Sequence, residues 1–95
     1  MDYLNSLKRI IKDFEIKNDQ ILIEGIEEFD GKKLSIAFSY QSSKMISIEL
    51  LEDGTCDLMV VDIKSEEPLF FETKYFNRIE DLNHEISYFL NNLDM

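Results

Sequence analysis

Two side chains, His84 and Cys56, are the natural candidates for nucleophilic or acid–base chemistry near neutral pH, since the chain holds one histidine and one cysteine. An active site requires a nucleophile or an acid and base in a concave setting with supporting partners. His84 falls roughly opposite the Leu82, Ile86 and Phe89 stripe of a helical pattern, the place of a solvated side chain, with Asp81 three residues earlier as an ordinary surface neighbour. Cys56 follows a turn and has no histidine partner in the pattern, so it reads as a buried structural thiol. One histidine and one cysteine do not make a common zinc site. No stretch has the spaced Asp/Asn and terminal Glu of a calcium loop, and no glycine-rich phosphate loop is present. The expectation is a protein with no catalytic residues, no metal and no cofactor.

The carboxylates offer charge instead. Twenty Asp and Glu against ten Lys and Arg give a formal net charge of −10. That balance disfavours nucleic acid and anionic membrane as partners and attracts a basic macromolecule before contact, although it also serves solubility alone. The acidic residues fall in three clusters: Glu24, Glu27, Glu28 and Asp30; Glu49, Glu52, Asp53 and Asp57; Asp62, Glu66, Glu67 and Glu72.

The elements that must position them are legible from periodicity. Tyr3, Leu4, Leu7, Ile10, Ile11 and Phe14 form one helical stripe, with Asp2 as its N-cap. Gln20 to Glu28 and Leu34 to Tyr40 read as strands around Asp30-Gly31, a hairpin signal because glycine accepts a positive φ. After a polar break at 41–44, Met45 to Leu51 and Cys56 to Ile63 flank Asp53-Gly54 in the same way. A fifth strand runs from Leu69 to Phe76, with Pro68 at its mouth. Ile79, Leu82, Ile86, Phe89, Leu90 and Leu93 give a second helix, with Asn77 and Glu80 as a capping-box-like start.

These elements predict an α+β fold: an N-terminal helix, a five-stranded antiparallel meander and a C-terminal helix, both helices on one sheet face, in a single domain over residues 1–95. The other face is then solvated or covered by a partner. A lone cysteine excludes an internal disulfide and fits a reducing compartment. The first nine residues lack the apolar stretch of a signal peptide, and the longest aliphatic run, Leu58 to Val61, is far too short to span a bilayer. The expected location is cytoplasmic.

Strand four is apolar on both faces, Leu58 and Val60 against Met59, Val61 and Ile63. A three-residue loop at Glu52-Asp53-Gly54 with a glycine bulge sets Ile48 opposite Leu58 and Glu49 opposite Asp57; a two-residue turn sets Ile48 opposite Met59. The bulge register is preferred. It places two carboxylates side by side on the open face, a cost without structural benefit, beside an apolar strip of Met59, Val61 and Ile63. A strand buried on both sides by a loop or by self-association is the plainer alternative.

The run Ile46-Ser47-Ile48-Glu49-Leu50-Leu51-Glu52-Asp53-Gly54-Thr55-Cys56-Asp57-Leu58-Met59-Val60-Val61-Asp62, then Phe70-Phe71-Glu72 and a closing amphipathic helix, resembles the TriTu family of bacterial immunity proteins. The likeness covers about the last half of the chain and departs from the family pattern at Leu51 and Met59. The resemblance implies a protein that binds a cognate toxin domain of contact-dependent growth inhibition and covers its active site. The toxin implied is a transfer-RNA nuclease that works with elongation factor Tu. Glu49, Asp57, Asp62, Glu66, Glu67 and Glu72, around an apolar centre of Met59, Val61 and Ile63, are the expected contacts. The partner is then a basic nuclease domain, alone or with elongation factor Tu, with no direct nucleic acid or membrane contact, and a homodimer is left open. A second class with similar features is an acidic type III secretion-like chaperone that binds an effector segment through apolar patches.

Overall fold

In the computed structural model, which describes residues 2–93, the chain runs as α1 (Tyr3–Lys17), β1 (Ile21–Phe29), β2 (Lys33–Tyr40), β3 (Lys44–Leu51), β4 (Thr55–Asp62), β5 (Pro68–Tyr75) and α2 (Ile79–Asn91). The strands form one antiparallel sheet in the order β1-β2-β3-β4-β5. The architecture is therefore the expected α+β meander.

Two of the hairpins follow from local chemistry. Asp30 and Gly31 take φ values of 53° and 70°, the paired positive values that match the twist of the flanking strands. Gly54 has φ 98°, and the pairing Ile48↔Leu58 and Glu49↔Asp57 is the glycine-bulge register. A Cβ built on Gly54 would lie 2.1 Å from the Phe76 carbonyl oxygen, so only glycine fits. The Phe76 N–H donates to the Gly54 carbonyl at 2.9 Å, and the Tyr3 hydroxyl donates to the Phe76 carbonyl at 3.0 Å. α1, the β3–β4 turn and the start of α2 are thus tied at one point.

The alternation on β2 to β4 buries Leu34, Ile36, Phe38, Ile46, Ile48, Leu50, Leu58 and Val60 in one core with Leu4, Leu7 and Ile11 of α1 and Leu82, Ile86 and Leu90 of α2. Each fully buried aliphatic or aromatic side chain there contributes about 1.5–3 kcal/mol. Phe14 of α1 lies against Phe38, and Phe89 of α2 against Phe70, with ring centroids 6.4 and 5.8 Å apart. Phe38, Ile46, Val60 and Phe70 are cross-strand neighbours in one row, so both helices contact the same face of the sheet. Lys8 and Glu28 at 2.8 Å, and Lys74 and Glu85 at 3.2 Å, bridge helix to sheet on that face.

Helix starts divide. Asp2 caps α1 by accepting the Asn5 N–H, as expected. The capping-box start at Asn77 does not form: Arg78 is the N-cap of α2, makes no side-chain cap bond, and instead pairs with Glu80. The two bonds that fix Phe76 determine where the chain turns into the helix, and Asn77 lies before that point. No helix among the described residues is long and apolar enough to cross a membrane.

Candidate functional site

The strand registers arrange the uncovered face in three rows. The first is Glu27, Ser35, Glu49, Asp57 and Thr73; the second Gly25, Ala37, Ser47, Met59 and Phe71; the third Leu22, Ser39, Met45, Val61 and Pro68. Period-two alternation produces this sorting, since successive side chains of a strand point to opposite faces of the sheet. Gly25, Ala37 and Ser47 make a low floor between an acidic row and an apolar margin. Phe71 and Leu22, on the two edge strands of this face, are 63% and 64% exposed.

Glu49 and Asp57 are neighbours on this face, as the register requires, but each has its own partner. Glu49 accepts from Ser35 at 3.4 Å and lies 3.6 Å from Lys33. Asp57 accepts from Thr73 at 2.6 Å. These bonds point the two carboxylates away from one another, so the like-charge juxtaposition costs less than the sequence suggested. It still leaves three carboxylates in one row across five strands.

Of the nine residues expected as contacts, the open face brings together Glu49, Asp57, Met59 and Val61, the last two half-buried. Ile63, Glu66 and Glu67 sit at the β4–β5 turn and are exposed. Asp62 is half-buried and occupied locally: its carboxylate accepts the Lys64 and Ser65 N–H groups at 2.8 and 3.3 Å and shapes that turn. Glu72 belongs to the opposite face. It pairs across from Leu58 and binds Lys74 at 2.8 Å beneath α2. The expected patch is therefore three places rather than one.

Two features escaped the sequence. Gln41, Ser42 and Glu66 have φ values of 53°, 57° and 62° without being glycine. They gather at one end of the sheet, where the Ile63 N–H donates to the Ser43 carbonyl at 2.9 Å. Strain of this kind concentrates at functional segments. The second is a groove of about 320 Å³ between α2 and the β4–β5 edge, lined by Val60, Leu69, Phe70, Tyr88, Phe89 and Leu93 among others. Lys74 lies at this groove between Glu72 and Glu85, whose hydrogen bonds raise its pKa, Glu72 foremost. The mixed faces of β5, with Phe70 and Phe71 adjacent, hid the groove, and turns without glycine hid the positive φ values.

His84 is exposed on α2 beside Asp81, and Cys56 is buried. Desolvation pushes the Cys56 thiol up to about 12, the reverse of an activated nucleophile. Among the described residues no group of three or more His, Cys, Asp or Glu is placed to hold a metal. The chain matches no family model, no curated protein and no solved structure.

Proposed function

We propose that the protein is a non-catalytic binding protein that neutralises a basic toxin domain, a nuclease acting on transfer RNA, by laying its open sheet face over the toxin's cationic site. The observation that carries this reading is the row Glu27, Glu49 and Asp57, set beside the apolar margin on the sheet face opposite the two helices, which no element among the described residues covers. A nuclease must present cationic groups to bind phosphates, and an acidic face with net charge −10 behind it is steered toward such groups. Apolar Met59, Val61 and Phe71 supply the desolvated centre that a polar rim alone lacks. In this role the protein works in the cytoplasm, where the toxin's substrate is.

The test is protection of cells that express the toxic domain of a secreted protein encoded beside this chain. Reversal of both Glu49 and Asp57 to Lys should abolish protection while circular dichroism stays unchanged, and wild-type association should slow by roughly tenfold or more from low to high salt. Full protection by the double variant removes this face from the site. A complex indifferent to salt removes the electrostatic reading.

The apolar groove beneath α2 favours a second reading, an acidic secretion chaperone that holds an extended client segment there. Such a complex resists salt and is lost when Phe89 is replaced by Asp, with the Glu49 and Asp57 variants unaffected.

A further inference from the structure

The two edges of the sheet are built differently. β1 carries an extra residue, Glu24, between the pairs Ile23↔Phe38 and Gly25↔Ala37, and holds three glutamates and no basic residue. Bulges and like charges are the usual means of keeping an edge from pairing. β5 has its irregularity at one end, where Leu69 is the extra residue between Val60↔Phe70 and Val61↔Pro68. From Phe70 to Tyr75 it is regular, with Phe70, Phe71 and Tyr75 39%, 63% and 75% exposed.

The backbone of that stretch is turned outward at alternate residues. Phe76 donates to Gly54, and hydrogen-bonded and non-bonded pairs alternate along an antiparallel ladder. Lys74 and Glu72 are therefore bonded to β4, while the N–H and C=O groups of Phe71, Thr73 and Tyr75 face the open edge. Three evenly spaced donor and acceptor pairs are what an incoming antiparallel strand requires.

We infer that this edge pairs with β5 of a second copy of the chain, antiparallel about a two-fold axis at Thr73, to give a continuous ten-stranded sheet. Charge selects the occupant and the register. Facing residues of a continuous sheet must share a face, so a symmetric pairing has to centre on one residue. Centres at Glu72 or Lys74 set like charges against each other, and a centre at Phe71 sets Phe70 against Glu72. A centre at Thr73 sets Glu72 against Lys74 of the second copy, twice, and Phe71 against Tyr75 of the second copy, twice. The same register pairs all three outward-facing residues with one another. Each Lys74, held by Glu72 and Glu85 of its own chain, then also faces Glu72 of the other copy, and the exposed Phe71 and Tyr75 become cross-strand pairs. The acidic row of each open face stays uncovered and only Phe71, at its margin, is shared, so this assembly does not rest on the toxin-binding reading.

Sedimentation equilibrium of the full chain at tens to hundreds of micromolar, in moderate salt, reads the assembly directly. The wild type should sediment as two chains. Lys74→Glu should weaken association at least tenfold, and adding Glu72→Lys in the same chain should restore it, because the swapped pair is again opposite in charge. Thr73→Cys should give a disulfide-linked dimer on mild oxidation, since facing residues of a bonded antiparallel pair are about 5.5 Å apart at Cα, within disulfide reach; buried Cys56 gives none. A wild type that stays monomeric at every concentration overturns the inference. So does a dimer that ignores Lys74→Glu, a loss that the swap fails to rescue, or a Thr73→Cys variant that does not cross-link.

Discussion

At the scale of single residues, Cys56 shows how burial sets chemistry. Its thiol is pushed from 9.0 to about 12, chiefly by desolvation and then by Asp57 nearby. The sign is that of an acid whose folded pKa lies above its unfolded one. Below pH 9 the stabilisation is fully present; between pH 9 and 12 the unfolded chain has released the proton and the native one has not, so stability falls by up to about 1.4 kcal/mol per pH unit. Cys56→Ala should flatten that alkaline decline when urea denaturation is repeated from pH 8 to 11, and the native thiol should resist Ellman's reagent at pH 8. A slope unchanged by the substitution would assign the decline to other groups. The buried thiol and the solvated His84 were legible from sequence because each depends only on its place in a short periodic pattern. The partners of Glu49 and Asp57 were not, because Lys33, Ser35 and Thr73 reach them across strands.

At the scale of elements, periodicity and glycine turns placed all seven within a few residues, whereas the turn at Gln41-Ser42 read only as a polar break. Its geometry is imposed by the pairing Tyr40↔Lys44 and closed by the Ser43 N–H on the Tyr40 carbonyl at 3.0 Å, so both central residues take positive φ without glycine. A left-handed conformation costs an ordinary residue roughly 1–2 kcal/mol, of which glycine's extra unfolded-state entropy returns about 0.5–1. Replacing Gln41 by Asn and Ser42 by Gly should therefore raise stability by about 1 kcal/mol, seen as a higher urea midpoint at unchanged slope. A lower midpoint would show that the Gln41 or Ser42 side chain contributes more than its backbone costs. The cap at Asn77 and the side on which Glu72 lies failed for a related reason: both depend on where β5 ends and how it registers with β4, and a strand with Leu69, Phe70 and Phe71 in succession carries no face preference of its own.

At the scale of the whole molecule, net charge said that a cationic partner would be attracted but not where, since the carboxylates divide among the open face, the β4–β5 turn and the groove under α2. Only the assembled registers separate them. The meander has a further consequence, in time rather than in space. Every strand pairs with its neighbour in sequence, so the sheet can form through short closures alone, and such topologies fold quickly. The tie between Tyr3 and Phe76 spans 73 residues and is available only after the strands between them are laid down. Tyr3→Phe, which loses one buried hydrogen bond worth about 1 kcal/mol, should accelerate unfolding several-fold and leave the folding rate nearly untouched in a stopped-flow chevron. Equal changes in both arms would place the tie early. Closing last, that knot governs how long the native protein survives once made, while the hairpins govern how soon it appears.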